Sequence, residues 1–120
     1  MNGHVDEHQR ALLDVEIRSQ ASADPTSLAV WIDTAFNGFF VFPREVIEYL
    51  RLHQAAATDA VLADGQIVTL ESYICYVEWF GETIGAQVIA NDGRMPLIGT
   101  ELLHPHRLVV DYSTASVMVT

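Results

Sequence analysis

The chain contains no lysine. Its basic residues are six arginines, Arg10, Arg18, Arg44, Arg51, Arg94 and Arg107, set against sixteen acidic residues for a formal net charge of −10. The arginines are scattered, so no basic stripe is available to neutralise phosphates, and nucleic acid is not an expected partner. Cysteine is almost absent as well. Cys75 stands alone, which rules out an internal disulfide, and its strand-like surroundings read as a small buried apolar residue in a chain built for a reducing compartment.

No apolar run reaches the length of a membrane span, and the start of the chain, "MNGHVDEHQRALLDVEIRSQ", has neither a basic n-region nor an apolar h-region. A soluble cytoplasmic protein with no membrane partner is expected. Metal-ligand spacing is missing too: His104-Pro105-His106 fits no common zinc pattern and reads as surface histidines, and His4 and His8 fall in a polar terminal stretch. Neither a metal nor another cofactor is expected. Tyr112-Ser113 has no base beside it, so a serine nucleophile has no support. No internal repeat is visible.

What is present suits one well-filled domain: 120 residues, half of them apolar and 18% charged. Residues 1–10 read as a polar tail and residues 11–120 as a single domain. "ALLDVEIR" alternates, with Leu13, Val15 and Ile17 on one face, and predicts a half-buried strand. "SQASADPTS" reads as a flexible loop before a second strand, Leu28 to Ile32, which ends at Asp33. Asn37-Gly38 signals a turn and "FFVF" another short strand. "PREVIEYLRLH", with Val46, Ile47 and Leu50 at helical spacing, predicts a helix of about three turns.

From Ala60 the period returns to two. Asp64-Gly65 and then Phe80-Gly81-Glu82 each lie between strand-like runs, which predicts two consecutive hairpins. Beyond the loop "NDGRM", "PLIG" leads into a short helical piece from Thr100 to His104, a break at Pro105, and a strand from Arg107 to Tyr112. Trp31, Trp79, Tyr73 and Phe80 read as core. The sum is a mainly β domain, a closed or sandwiched barrel with one or two short helices.

One position resists a purely structural reading. In "LAVWIDTAFNGFFVF" the carboxylate of Asp33 ends an almost unbroken apolar run, and a buried ionised carboxylate needs a partner or a use. Taken alone, Asp33 also suits a turn aspartate that caps backbone amides.

"WIDTAFNGFFVFP", "VLADGQIVTL" and "MPLIGTELL" followed by "HRLVVDY" together resemble the retropepsin-like aspartic proteases, in particular their small single-domain bacterial branch. The ordered match covers residues 11 to 113. The resemblance implies a symmetric homodimer in which Asp33 of each chain meets at the two-fold axis, because only one aspartate in this sequence has that context. It implies catalysis by Asp33, with Thr34 bonding across the two loops and Ala35 where the family most often has glycine. Ala63, Asp64 and Gly65 match the flap tip that closes over a peptide, and Leu97, Ile98 and Gly99 the support beneath the catalytic loop. "RLVVDY" would help form the dimer sheet. The implied activity is that of an endopeptidase on peptide or unfolded protein, with an acidic to mildly acidic optimum. A catalytically inactive dimer of the same fold, serving as a peptide-binding or scaffold module, and a monomeric β-barrel binding a small molecule in an internal cavity stand beside it.

Overall fold

The computed structural model describes residues 1–61 and 63–120; Leu62, inside the "VLADGQIVTL" stretch, lies outside the described residues. Ten strands and two short helices follow one another as β1 (Asn2–Val5), β2 (Ala11–Arg18), β3 (Thr26–Ile32), β4 (Phe40–Pro43), α1 (Arg44–Leu50), β5 (His53–Val61), β6 (Ile67–Trp79), β7 (Glu82–Asn91), β8 (Leu97–Ile98), α2 (Thr100–Leu103), β9 (Leu108–Asp111) and β10 (Ser116–Val119). Their order across the sheet is β5-β6-β7-β4-β8-β3-β2-β1-β10-β9. A further pairing of β2 with β6, Ile17 opposite Val77 and Arg18 opposite Tyr76, closes the strands from β6 round to β2 into a barrel. The mainly β, closed architecture is the one the sequence patterns predict.

Alternation from Leu13 onward fills the barrel. On β2, Leu13, Val15 and Ile17 are buried while Asp14 and Glu16 are exposed. These side chains meet Val30, Phe40, Phe42, Val77, Val88 and Ile98, all essentially inaccessible to solvent. Phe40 and Phe42, two residues apart and so on one face of β4, pack with ring centroids 5.0 Å apart. Cys75 is fully buried on β6, as its small apolar reading requires, and burial pushes its thiol up to about 12.

Several local expectations are corrected. Residues 1–10 do not form a loose tail: β1 pairs antiparallel with both β2 and β10, and the Met1 ammonium donates to the Val119 carbonyl at 2.7 Å. Asp6 holds the following turn, its Oδ1 accepting from the amides of His8 and Arg10 and its Oδ2 from Arg10 Nε at 2.8 Å. These contacts are backbone bonds to the far end of the chain and short-range caps, neither of which leaves an apolar period to read.

Helix α1 has seven residues, short of the expected three turns, because Arg51 turns left-handed (φ 57°) and its amide closes on Glu48, which lets Leu52 drop into the core. Strand β5 begins at His53, ahead of the expected Ala60. Of the aromatics expected in the core, Trp79 is 4% exposed and Tyr73 is partly buried against the core, but Trp31 is 39% and Phe80 42% exposed. Val30 and Ile32 take the inner face of β3 and leave Trp31 outside, while Phe80 sits in the β6–β7 turn. The buried Trp79 Nε1–H has no acceptor among the described residues, an omission that costs about 1–3 kcal/mol.

The closing seam carries an ion pair. Arg18 Nε reaches Glu78 Oε1 at 3.0 Å, and Thr83 Oγ1 donates to the same oxygen at 2.7 Å. Thr83 first and then Arg18 hold the Glu78 carboxyl below the ordinary carboxylate range. Ser113 does the same for Asp111 through its hydroxyl and amide. For Asp6, desolvation pulls upward, but the combined hydrogen bonds from Arg10 and His8 prevail and the net direction is down. A carboxyl whose folded pKa is depressed adds stability that is complete above its unfolded pKa and is lost as pH falls through the folded one. The melting temperature is therefore expected to fall with acidification below the ordinary Glu value of 4.5, and less steeply in Glu78→Gln. Melts from about pH 6 to 3 check this; a variant whose slope matches the parent chain removes Glu78 from the account.

Candidate active site

The parallel pairing of β3 with β8 sets the geometry around Asp33. Trp31 lies opposite Leu97 and Ile32 opposite Ile98, and the ladder runs one step further as the Asp33 amide donates to the Ile98 carbonyl at 3.0 Å. The chain then turns sharply, with Phe36 N–H bonded to the Asp33 carbonyl at 3.2 Å and Asp33 Oδ1 accepting from the Ala35 amide at 3.0 Å. This local cap fixes the carboxylate's direction. Asp33 is half-buried; Thr34 and Ala35 are exposed. Ala35 is not among the residues with positive φ, so its methyl meets no left-handed strain.

The segment after β8 clamps this loop from behind. Gly99 N–H donates to Phe39, Thr100 N–H to Phe36 and Glu101 N–H to Gly38, at 2.9, 2.8 and 3.1 Å. Gly99 has ordinary extended φ; it is required by space, since a Cβ there would collide with the carbonyls of Gly38 and Phe36 and with the Phe36 ring. Thr100 Oγ1 lies 3.3 Å from Asn37 Oδ1. The structure thus brings the two sequence-distant groups, Asp33-Thr34-Ala35 and Leu97-Ile98-Gly99, into one unit. Phe36, Asn37 and Thr100 are structural members of it that sequence reasoning missed; the Asn37-Gly38 turn signal was present, but its partner lies some sixty residues on.

Trp31, Ile32, Asp33, Thr34, Ala35 and Leu97 line an open hollow of about 370 Å³. Asp33 is its one carboxylate. Arg10, held by Asp6, lies over the Trp31 ring at 5.8 Å from its centroid, at cation–π range. Ala63, Asp64 and Gly65 do not line this hollow: they form the tip of the β5–β6 hairpin, where Gly65 has φ 85° and Asp64 Oδ1 accepts from the Gln66 amide at 3.0 Å. Val61 and Ile67 flank the tip and are strongly exposed. Further down the hairpin, Arg44 Nη1 bonds Glu71 Oε2 at 2.6 Å, with Tyr73 Oη also on that oxygen and Asp92 3.5 Å from Arg44 Nε. Arg44, then Tyr73, hold the Glu71 carboxyl below its usual range. Among the described residues no group of three or more His, Cys, Asp or Glu could hold a metal ion. His104 is exposed as expected, but His106 is half-buried against Phe80 and Trp79, a correction to its reading as a surface residue.

No family model matches the chain, and no curated protein matches it significantly. Solved structures do. The chain is similar to the EIAV protease in complex with the inhibitor HBY-793, with a TM-score of 0.56 and 19% identity over 82% of this chain and 88% of that one. It also matches the retroviral protease-like domain of Ddi1 from Leishmania major, with a TM-score of 0.48 and 14% identity over 90% and 87% of the two chains. The fold is retropepsin-like, that of the aspartic proteases.

The tight approach at Gly99 generates a test. Gly99→Ala is expected to lose about 1–3 kcal/mol of stability through overpacking against backbone that cannot yield. Urea unfolding measures it, and an unchanged midpoint would show that the loop moves aside freely.

Proposed function

We propose that the chain is an aspartic endopeptidase of the small, single-domain bacterial retropepsin branch, acting in the cytoplasm as a symmetric homodimer on peptide or unfolded protein segments. The observation that carries this reading is Asp33 itself. Its carboxylate is fixed by the Ala35 amide at the end of a barrel strand, its loop is clamped by Gly99, Thr100 and Glu101, and it faces an open, partly apolar hollow with no second carboxylate. A second copy of this chain supplies the missing acid.

In the dimer two Asp33 carboxyls lie about 3 Å apart and share one proton, because both cannot remain ionised at that distance. The ionised one takes a proton from a water as its oxygen adds to the scissile carbonyl carbon; the protonated one donates to the carbonyl oxygen. In the collapse of the tetrahedral diol, the carboxyl that took the water's proton passes it to the leaving nitrogen, the other carboxylate takes back a hydroxyl proton as C=O re-forms, and the C–N bond breaks, which leaves a carboxylic acid, an amine and a dyad again sharing one proton. Thr34, whose side chain makes no hydrogen bond among the described residues of one chain, bonds to the facing loop. The β5–β6 hairpin, with Ala63, Asp64 and Gly65 at its tip, closes over the peptide and sheds water. Its exposed Val61 and Ile67 suit a surface that is covered only when substrate is bound.

Two features support dimerisation. Strand β9 ends the sheet and leaves one edge free among the described residues, and Val109 and Met118, cross-strand neighbours on β9 and β10, are both exposed. No helix is long and apolar enough to cross a membrane. One observation favours a second reading: the Asp33–Ala35 bond is also what a purely structural turn aspartate makes, which suits an inactive dimer that only binds peptide.

Asp33→Asn separates the two. Turnover of a mixed peptide library between about pH 3.5 and 7 is expected to fall at least about 100-fold in the variant at equal folding and dimer content. Absence of cleavage by the well-folded parent dimer, with peptide affinity unchanged in the variant, would leave the binding module standing.

A further inference from the structure

A second pocket, sharing no residue with the Asp33 hollow, lies between the β6–β7 turn and the connection from α2 to β9. The turn runs through Phe80 and Gly81, both at positive φ, 49° and 81°. Glycine takes that conformation freely, but a bulky phenylalanine does not, so its surroundings must hold it there. The hold is visible: the Phe80 ring stacks on His106 with centroids 4.1 Å apart and planes within 6°, and Trp79 meets both rings edge-on at 5.3 and 5.9 Å. Strain in the turn is thus spent on an aromatic wall.

The pocket that this wall borders has a volume of about 420 Å³, and Glu82 and Glu101 also line it. Neither carboxylate has an ion pair or a side-chain hydrogen bond among the described residues, and no arginine lines the pocket. The one buried polar side-chain atom without a partner among the described residues, Trp79 Nε1, belongs to the same wall. Aromatic faces beside two unneutralised carboxylates select a cation, and a planar guanidinium both stacks on rings and forks onto carboxylates.

We propose that this pocket is a binding site for arginine in a basic peptide segment, with Glu82 and Glu101 pairing the guanidinium and Phe80, His106 and Trp79 forming its apolar wall. The occupant would touch the back of the catalytic-type loop. Phe39, which also lines the pocket, accepts the Gly99 amide, and the Glu101 amide donates to Gly38. The inference does not depend on proteolysis, and its test is run without it.

The chain has two tryptophans, so Asp33→Asn combined with Trp31→Phe leaves Trp79 as the sole indole reporter in a chain lacking the carboxylate needed for turnover. Titration of this protein with acetylated, amidated Gly-Arg-Gly-Gly is expected to give a saturable change in emission. The neutral citrulline peptide, of nearly identical shape, is expected to bind at least about tenfold more weakly, and so is the arginine peptide to a Glu82→Gln/Glu101→Gln version. No saturable change with the arginine peptide overturns the proposal. So does equal binding of the citrulline peptide, or binding that the glutamine substitutions leave unchanged in a protein of unaltered melting temperature.

Discussion

The single hydrogen bond from the Asp33 amide to the Ile98 carbonyl is the constraint on which the rest of the site depends. It continues the short parallel β3–β8 ladder past its last residue pair and so determines where the chain leaves the barrel and turns. With β8 only two residues long, the ladder is too short to hold that register by itself. The amides of Gly99, Thr100 and Glu101, all aimed at carbonyls of the 36–39 segment, supply what the ladder lacks. Gly99 is the element that permits the approach, because any side chain there would meet backbone on the other side. A functional carboxylate can sit on a loop and still point in one direction when the loop is stitched at both ends to rigid strands.

That stitching explains what was legible in the sequence and what was not. Strand periods were readable where one face is buried, Leu13, Val15 and Ile17 on β2 and the alternation on either side of Phe80-Gly81, whereas the hairpin at Asp64-Gly65 was readable from its turn signal, its flanking Val61 and Ile67 being exposed. The element type of α1 was readable from Val46, Ile47 and Leu50, but its end was not, since a left-handed Arg51 has no glycine to announce it. Strands β1 and β10 were invisible for a different reason. Asn2–Val5 carries a mixed polar pattern and is a strand only because backbone partners from β2 and the far terminus lie on either side. Nothing local in "NGHV" encodes a partner more than a hundred residues away.

The candidate site divides along the same line. Asp33, Thr34 and Ala35, and separately Leu97, Ile98 and Gly99, stood out as motifs; that they form one unit follows only from the parallel pairing of β3 with β8, which short-range pattern does not report. Trp31 was misjudged as core because aromatic residues in strands usually are, yet the period-two rule applied strictly to Val30 and Ile32 already turns it outward. Phe80 was misjudged because a turn position with positive φ is a poor place for a phenylalanine unless its ring has somewhere to stack, and His106 is not a neighbour in sequence.

The charge distribution bears on the proposed pairing of two copies. Each chain carries a formal charge of −10, so assembly brings together like-charged bodies, and long-range repulsion slows association at low salt. Attraction must therefore come from short-range contacts that screening does not weaken. A free β9 edge provides backbone hydrogen bonds, and exposed Val109 and Met118 on the β9–β10 hairpin provide apolar surface. Of the acidic groups beside that hairpin, Asp6 is paired with Arg10, while the hydroxyl and amide of Ser113 hold Asp111 in its charged form. Glu82 and Glu101, which have no ion pair among the described residues, line the pocket proposed for a guanidinium. The same negative excess that disfavours a polyanion favours a basic peptide segment as the occupant proposed for the aromatic pocket.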